Sequence, residues 1–381
     1  VTTAELRPAW IDEPAALAAI CERARQAGQV AVDTEADSLH SYFHKLCLVQ
    51  LSIDGTHALV DPLALGRENL EPLARLLADP AVRKLLHGAD YDLRVLDRDL
   101  GARVANVRDT QVAAQLLGEP QTGLAALAEK LLGVALDKKF QRADWGERPL
   151  SIEARAYAAG DTAFLAALSA AQTARLAELG RLAWWEEECA ALEAIRWEPP
   201  EPDPLAFERI KGARALRGAA RDRLAALFAW REQRAADDDV PPFKILQAEA
   251  MVALAAAPPA DLDALAAVRG VGRSTVRRFG RELLGLIAAP PAVPDRLPKD
   301  RFVVDREREL RFKQLRSVRD EVAAGLAVDG GVLAPRAALE AVVDRLPSDE
   351  AALADCLGRS WRAAVLAPFL LPVASAWRGG S

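Results

Sequence analysis

Several common signals are missing from this 381-residue chain. Its four cysteines (Cys21, Cys47, Cys189, Cys356) are scattered and form no CxxC pair. That excludes a cysteine zinc site and a disulfide framework, and it leaves reduced, buried thiols in a cytoplasmic protein as the expectation. The four histidines (His40, His44, His57, His87) show no HExxH or other ligand spacing. No apolar run is long enough to cross a membrane, so no membrane partner is expected. The opening VTTAELRPAW lacks the basic start and apolar block of a secretory signal. Finally, no Lys or Arg lies between Val30 and His44, around a run of acids.

What is present is hydrophobic content of 51%, enough for two or three cored domains. The net charge of −6 is uneven. Residues 1–204 carry 21 Lys and Arg against 32 Asp and Glu, whereas 205–290 carry 14 against 10 and 291–381 carry 14 against 13. An acidic front followed by a mildly basic module is an asymmetry that needs a reason. Two proline-rich seams, WEPPEPDPLAF (197–207) and AAPPAVPDRLPKD (288–300), read as linkers, because proline removes amide donors and restrains its predecessor. They divide the chain into 1–196, 205–288 and 301–378.

The first segment reads as mixed α/β. Gln29–Asp33, Leu46–Ile53, His57–Val60 and Val82–His87 have strand character, and Leu70–Leu77 and Tyr91–Leu100 have helical period. Beyond them the pattern turns helical, through 111–117, 124–132 and a long stretch from Ile152 to about Leu179. The later segments are helical throughout and look like copies. The run at Leu227–Glu232 aligns with Leu315–Asp320 at an offset of 88, and Ile245-Leu246 with Val332-Leu333 at 87. That period fits a small domain, not a solenoid repeat.

Three acidic clusters stand out. In QVAVDTEAD (29–37) an apolar strand ends in acids, and Asp33 and Glu35 share a face because strand side chains alternate. Paired carboxylates repel, and a divalent cation would offset them. A strand ending in solvent fits the same pattern. In LLHGADYDLRVLDRDLG (85–101) a strand ends at His87, and Asp90 and Asp92 open a helix. Asp90 suits a cap; Asp92 could face a metal. His87 suits a satisfied strand-end histidine better than a ligand. In ARAYAAGDTAFLAAL (154–168) Tyr157 and Asp161 sit at i and i+4 on one helix face, in apolar surroundings where an unpartnered acid is costly. The helix also has a polar side on which Asp161 could lie.

The combination is more informative than any cluster. Asp33-x-Glu35, Asp92 in an H-x(4)-D-L context, and Tyr157-x(3)-Asp161 resemble the DEDD family of 3′→5′ exonucleases in its tyrosine-bearing branch. The histidine branch would place His at position 156, which here is Ala156. SYFHKLCLVQLS (41–52), DTQVAAQLLG (109–118) and the D-W-x-x-R-P-L element within 122–151 are similar to ribonuclease D. FAWREQRAADDDVPPFKIL (228–246) and AAVRGVGRST (266–275) resemble the HRDC domain, and 301–378 looks like a degenerate second copy.

The resemblance implies an α/β ribonuclease H-like mixed-sheet exonuclease domain followed by two small all-α, HRDC-like domains. It implies a metal-dependent 3′→5′ exoribonuclease that removes 5′-mononucleotides from RNA 3′ ends, such as those of transfer RNA precursors. Two Mg²⁺ or Mn²⁺ ions would be held by Asp33, Glu35, Asp92 and Asp161, with Tyr157 orienting the attacking water. Asp37 falls outside the matched motif and is expected to face solvent. Lys138, Lys139, Gln141 and Arg142 precede the D-W element and suit either phosphates or a solvated loop. In the basic module Arg217, Arg221, Arg223, Lys244, Arg273, Arg277 and Arg278 are candidates for phosphate contact. The Gly270–Gly272 turn ahead of Arg273 suits either a phosphate at the helix start or tight helix packing. The third segment suits a structural role, such as closing a ring around the site, or binding. A DNA exonuclease with the same chemistry and an inactive nucleic-acid-binding protein are the competing readings, and a monomer is compatible with all of them.

Overall fold

The computed structural model describes residues 6–137, 139–293 and 305–378. They fall into two compact units: one holds residues 6–35, 46–197 and 305–378, the other holds 36–45 and 198–293.

The first unit is built on a six-stranded mixed sheet, made of β1 (Ala9–Ile11), β2 (Gln29–Ala36), β3 (Leu46–Ile53), β4 (Thr56–Val60), β5 (Arg83–Leu86) and β6 (Val107–Asp109). Their spatial order is β1-β4-β3-β2-β5-β6. β3 and β4 are antiparallel, while β1 with β4, β2 with β5 and β5 with β6 are parallel. The helices of the front part are α1 (Pro14–Ala27), α2 (Pro62–Leu65), α3 (Glu71–Ala78), α4 (Asp90–Leu100), α5 (Thr110–Leu116), α6 (Leu124–Leu132), α7 (Ile152–Ala163), α8 (Leu165–Glu178) and α9 (Leu182–Leu192).

Alternation along β2 decides what each face does. Val30 and Val32 enter the core that includes Leu17 of α1, Leu73 of α3 and Leu93 of α4. Ala31 faces the other way, toward Leu127, Leu165 and Leu168. Asp33 and Glu35 continue that second face, where α7 lies.

The structure adjusts the expected elements. β2 runs through both acids to Ala36 instead of stopping at Asp33. β1 and β6 lie where no strand was expected; at three residues each they are too short to show alternation. The expected long helix from 152 is two helices, parted at Phe164, whose ψ of −3° departs from α geometry.

The remaining helices are α10 (Ala219–Asp237), α11 (Pro242–Ile245), α12 (Ala248–Ala256), α13 (Leu262–Ala267), α14 (Arg273–Ala288), α15 (Arg306–Leu326), α16 (Gly330–Leu333), α17 (Arg336–Arg345), α18 (Glu350–Leu357) and α19 (Ser360–Arg378). α10 to α14 recur in order as α15 to α19, each starting 87 or 88 residues later. The two sets pack differently. α10–α14 close around their own core of Leu224, Leu227, Met251, Leu254, Leu265 and Leu283. In α15–α19, Leu315, Leu339, Leu353 and Leu366 share one core with Ala113, Leu116, Leu176 and Trp185 of the sheet-bearing part. Trp184 stacks on Trp361 at 4.6 Å, and Glu188 pairs with Arg359 and Arg362. Arg181 donates to the carbonyls of both Leu116 and Leu326. No described helix is long and apolar enough to cross a membrane.

Candidate active site

β2 and α7 bring Asp33, Glu35 and Asp161 together: one carboxylate oxygen from each lies within 4.8 Å of the others. The sheet supplies two of the acids through alternation, and α7 supplies the third one turn beyond Tyr157. Asp92 lies outside this close triad. It is buried in the first turn of α4, and Thr34, between the two β2 acids, donates its hydroxyl to it. The strand thus reaches three acids of the set from consecutive residues.

No Lys or Arg forms an ion pair with any of the four among the described residues. Burial and then Asp161 push Asp33 above its ordinary range, against an N–H from Thr34. Burial, then Asp33, Asp161 and Asp92, push Glu35 up to about 10. Burial raises Asp161, and burial together with Asp33 raises Asp92 well above its usual range despite the Thr34 hydrogen bond. The Tyr157 phenol is pushed up by burial and then by Asp161, Glu35 and Asp33, so it keeps its proton at neutral pH.

Tyr157 is held from behind by the D-W-x-x-R-P-L element. Buried Trp145 stacks on it at 6.1 Å between ring centroids, and Phe140 meets it at 5.8 Å. Arg148 fastens the element to the sheet with two 2.8 Å bonds to Asp61 and a third to the Cys47 carbonyl. The first turn of α4 is anchored similarly. Asp109, at the end of β6, accepts from the N–H groups of Gly88 and Ala89 ahead of Asp92, and it caps α5 through Gln111 and Val112. Thr34, Trp145, Arg148 and Asp109 were not singled out individually by their sequence context. Only their position within longer motifs marked them. A cavity of about 300 Å³ opens beside Tyr157 and Asp161, lined also by Gln121, Leu124, Leu136 and Gln141.

Asp37 does not face solvent. It is buried, accepting 2.6 Å and 2.8 Å bonds from the Ser41 hydroxyl and the Lys45 N–H and pairing with Lys45 Nζ at 2.7 Å. Burial works against its charge, but Lys45 and Ser41 hold it below the usual range. It closes the turn whose His40 and Ser41 amides bond its own carbonyl. His87 bonds Thr110 through Nδ1 at 2.9 Å, as a strand-end histidine does.

The basic candidates divide. Arg217, Lys244, Arg273 and Arg277 are exposed. Arg221 is buried, bonded at 2.8 Å to Glu208 and lying over the Phe207 ring, so it serves the module's interior and not a phosphate-facing surface. Arg223 donates to the Ala255 carbonyl and Arg278 pairs with Asp238. Lys139 is exposed and lies over the Phe140 ring, and Gln141 and Arg142 are exposed in the same loop; Lys138 lies outside the described residues.

Residues 8–176 match the 3′-5′ exonuclease family, and 220–287 match the HRDC domain. Ribonuclease D of Acidiphilium cryptum is 37% identical over 362 residues, covering 93% of this chain and 90% of that protein. The chain belongs to the ribonuclease D family. Ribonuclease D of Escherichia coli is 32% identical over 326 residues, covering 84% of this chain and 86% of that protein. Its crystal structure, described as that of an exoribonuclease involved in structured RNA processing, matches with a TM-score of 0.68 at 28% identity, covering 98% of this chain and 100% of that one. The catalytic core of RRP6 from Trypanosoma brucei matches with a TM-score of 0.68 at 27% identity, over 76% of this chain and 80% of that one. The chain is therefore a 3′→5′ exoribonuclease with an HRDC domain, acting on RNA. Its exonuclease domain is of a divalent-metal-dependent family, and the carboxylate cluster fits such an ion, having hard oxygen donors and no ion pair to a Lys or Arg among the described residues.

Proposed function

We propose that Asp33, Glu35, Asp92 and Asp161 hold two Mg²⁺ or Mn²⁺ ions and that Tyr157 positions the attacking water. The observation that carries this is the cluster of three carboxylates within 4.8 Å, with none of which a Lys or Arg forms an ion pair among the described residues. When bound, the ions supply Lewis-acid stabilisation of the phosphoryl and leaving 3′ oxygens. The chain's own groups do the positioning. Tyr157 stays protonated, is braced by Trp145 and Phe140, and offers a hydroxyl on the side of the cavity that holds Asp161. Thr34 and Asp109 keep Asp92 in register with β2. The products are nucleoside 5′-monophosphates released singly from the 3′ end, and transfer RNA precursors are the substrate class proposed.

In the same reading, Arg217, Lys244, Arg273 and Arg277 contact RNA phosphates from the 205–288 domain. The 301–378 segment is a second, diverged HRDC-like domain with a structural role, which the recurring helix order and the shared core support. In this reading the protein acts in the cytoplasm as a monomer, with its four cysteines buried.

The test uses a 5′-labelled RNA with a short 3′ tail, digested with Mg²⁺, Mn²⁺ or EDTA by wild type and Asp33→Ala. A metal-dependent ladder shrinking from the 3′ end, absent in the variant, is the expected result. Wild-type digestion by Asp33→Ala contradicts the assignment, and a ladder on the matching DNA alone contradicts the substrate.

A further inference from the structure

Gln50, in the middle of β3, is fully buried, and neither its amide nitrogen nor its amide oxygen has a hydrogen-bond partner among the described residues. Buried amides are almost always bonded to protein or ordered water, and one with no protein partner calls for an explanation such as strain, a catalytic role, a water or an ion. Its place in the fold supplies one. Val49, Leu51 and Ile53 of β3 point into the core with α1, α3 and α4. Leu48 points the other way, into the cluster with Trp145, Ala154, Ala158 and Tyr157, and Ser52 bonds Thr162 of α7 at 2.7 Å. Alternation therefore aims Gln50 at α7, between the levels of Ala158 and Thr162, the turn that carries Asp161. β3 neighbours β2, and Asp33 and Glu35 occupy this same α7-facing side.

We propose that Gln50 is a positioning residue of the metal site, whose amide N–H holds the outer oxygen of the Asp161 carboxylate once ions fix that carboxylate in one orientation. The inference rests on the metal-site reading above. Outer-sphere hydrogen bonds of this kind orient the ligand and tune affinity. An apolar residue of similar size would pack there without the amide's cost, so the amide works against the stability of the metal-free protein.

Gln50→Met and Gln50→Leu separate the roles. Three quantities are measured on the full chain: the thermal midpoint without metal, Mn²⁺ affinity by calorimetry, and kcat and KM on RNA. The expected result is an equal or higher metal-free midpoint, Mn²⁺ binding weakened about 10-fold, and a lower kcat with little change in KM. Wild-type Mn²⁺ affinity in a folded variant overturns the proposal. So does failure of both variants to fold, because an unpartnered amide contributes nothing to the metal-free fold that a buried methionine lacks. A wild-type protein that binds no Mn²⁺ fails differently, by removing the metal site itself.

Discussion

Two sets of buried and half-buried acids in this molecule are built in opposite ways. Asp61 and Glu119 each meet a cation of the chain: Arg148 for the first, Lys130 and Arg175 for the second. Burial opposes their charge, yet those partners hold both below the ordinary carboxylate range. Asp33, Glu35 and Asp161 meet one another, Asp92 meets the Thr34 hydroxyl, and all four are raised. The same fold that neutralises its structural acids leaves these uncompensated. The difference is what supports the proposal that the compensating charge at the cluster comes from outside the chain.

The contrast breaks most visibly by substitution. Asp161→Asn or Asp33→Asn should lower kcat on RNA by on the order of 10³-fold, several kcal/mol of lost charge stabilisation, while leaving the metal-free protein as stable or more so. Arg148→Met should do the reverse in the other set. It strands Asp61 and loosens the element behind Tyr157, costing about 3 kcal/mol by chemical denaturation.

A pH titration of stability sharpens the comparison. Acids with raised folded pKa values favour folding fully below their unfolded values and lose that contribution as pH rises through the folded ones. Metal-free protein should therefore lose stability from about pH 4.5 upward, toward the Glu35 value of about 10, and saturating Mn²⁺ should flatten the loss. Asp61 and Glu119 contribute the opposite slope, which lies below neutrality. A thermal melt series at several pH values, with and without Mn²⁺, checks both signs.

Smaller effects test the two helical modules. Gly118 has φ +73°, and a β-carbon there would lie 1.8 Å from the Ala327 carbonyl oxygen. Gly118→Ala should therefore lower the thermal midpoint through the core that the last helices share with the sheet-bearing part. Arg273→Ala and Arg277→Ala should leave the midpoint unchanged and weaken RNA binding modestly. Each should reduce the salt dependence of binding by about one ion, measured by titration at several salt concentrations.

The candidate acids each sat at a local signal: alternation for Asp33 and Glu35, a helix start for Asp92, an i, i+4 pair for Tyr157 and Asp161. Each signal also fitted a solvent-facing acid, and only the family resemblance joined them; the structure brings Asp33, Glu35 and Asp161 together. The helical repeat was legible as a fixed offset. What sequence could not supply were pairings across distance. Arg148 meets Asp61 from 87 residues away, and Thr34 reaches Asp92 from 58. Asp37 was misread because its partner Lys45 becomes a neighbour only when the turn closes. Arg221 looked like surface charge because a helical pattern does not reveal Glu208 and Phe207 folding over one side of it. β1 and β6 escaped because a three-residue strand is defined by its neighbours in the sheet, not by its own sequence.

Calorimetric titration of Mn²⁺ into metal-free protein near neutral pH, repeated in two buffers of different ionisation heat, tests the central claim most directly. If the cluster awaits cations, binding releases protons from its raised acids, and Asp161→Asn sharply reduces both the binding and the release. Binding without proton release, or binding that Asp161→Asn leaves intact, would contradict the account.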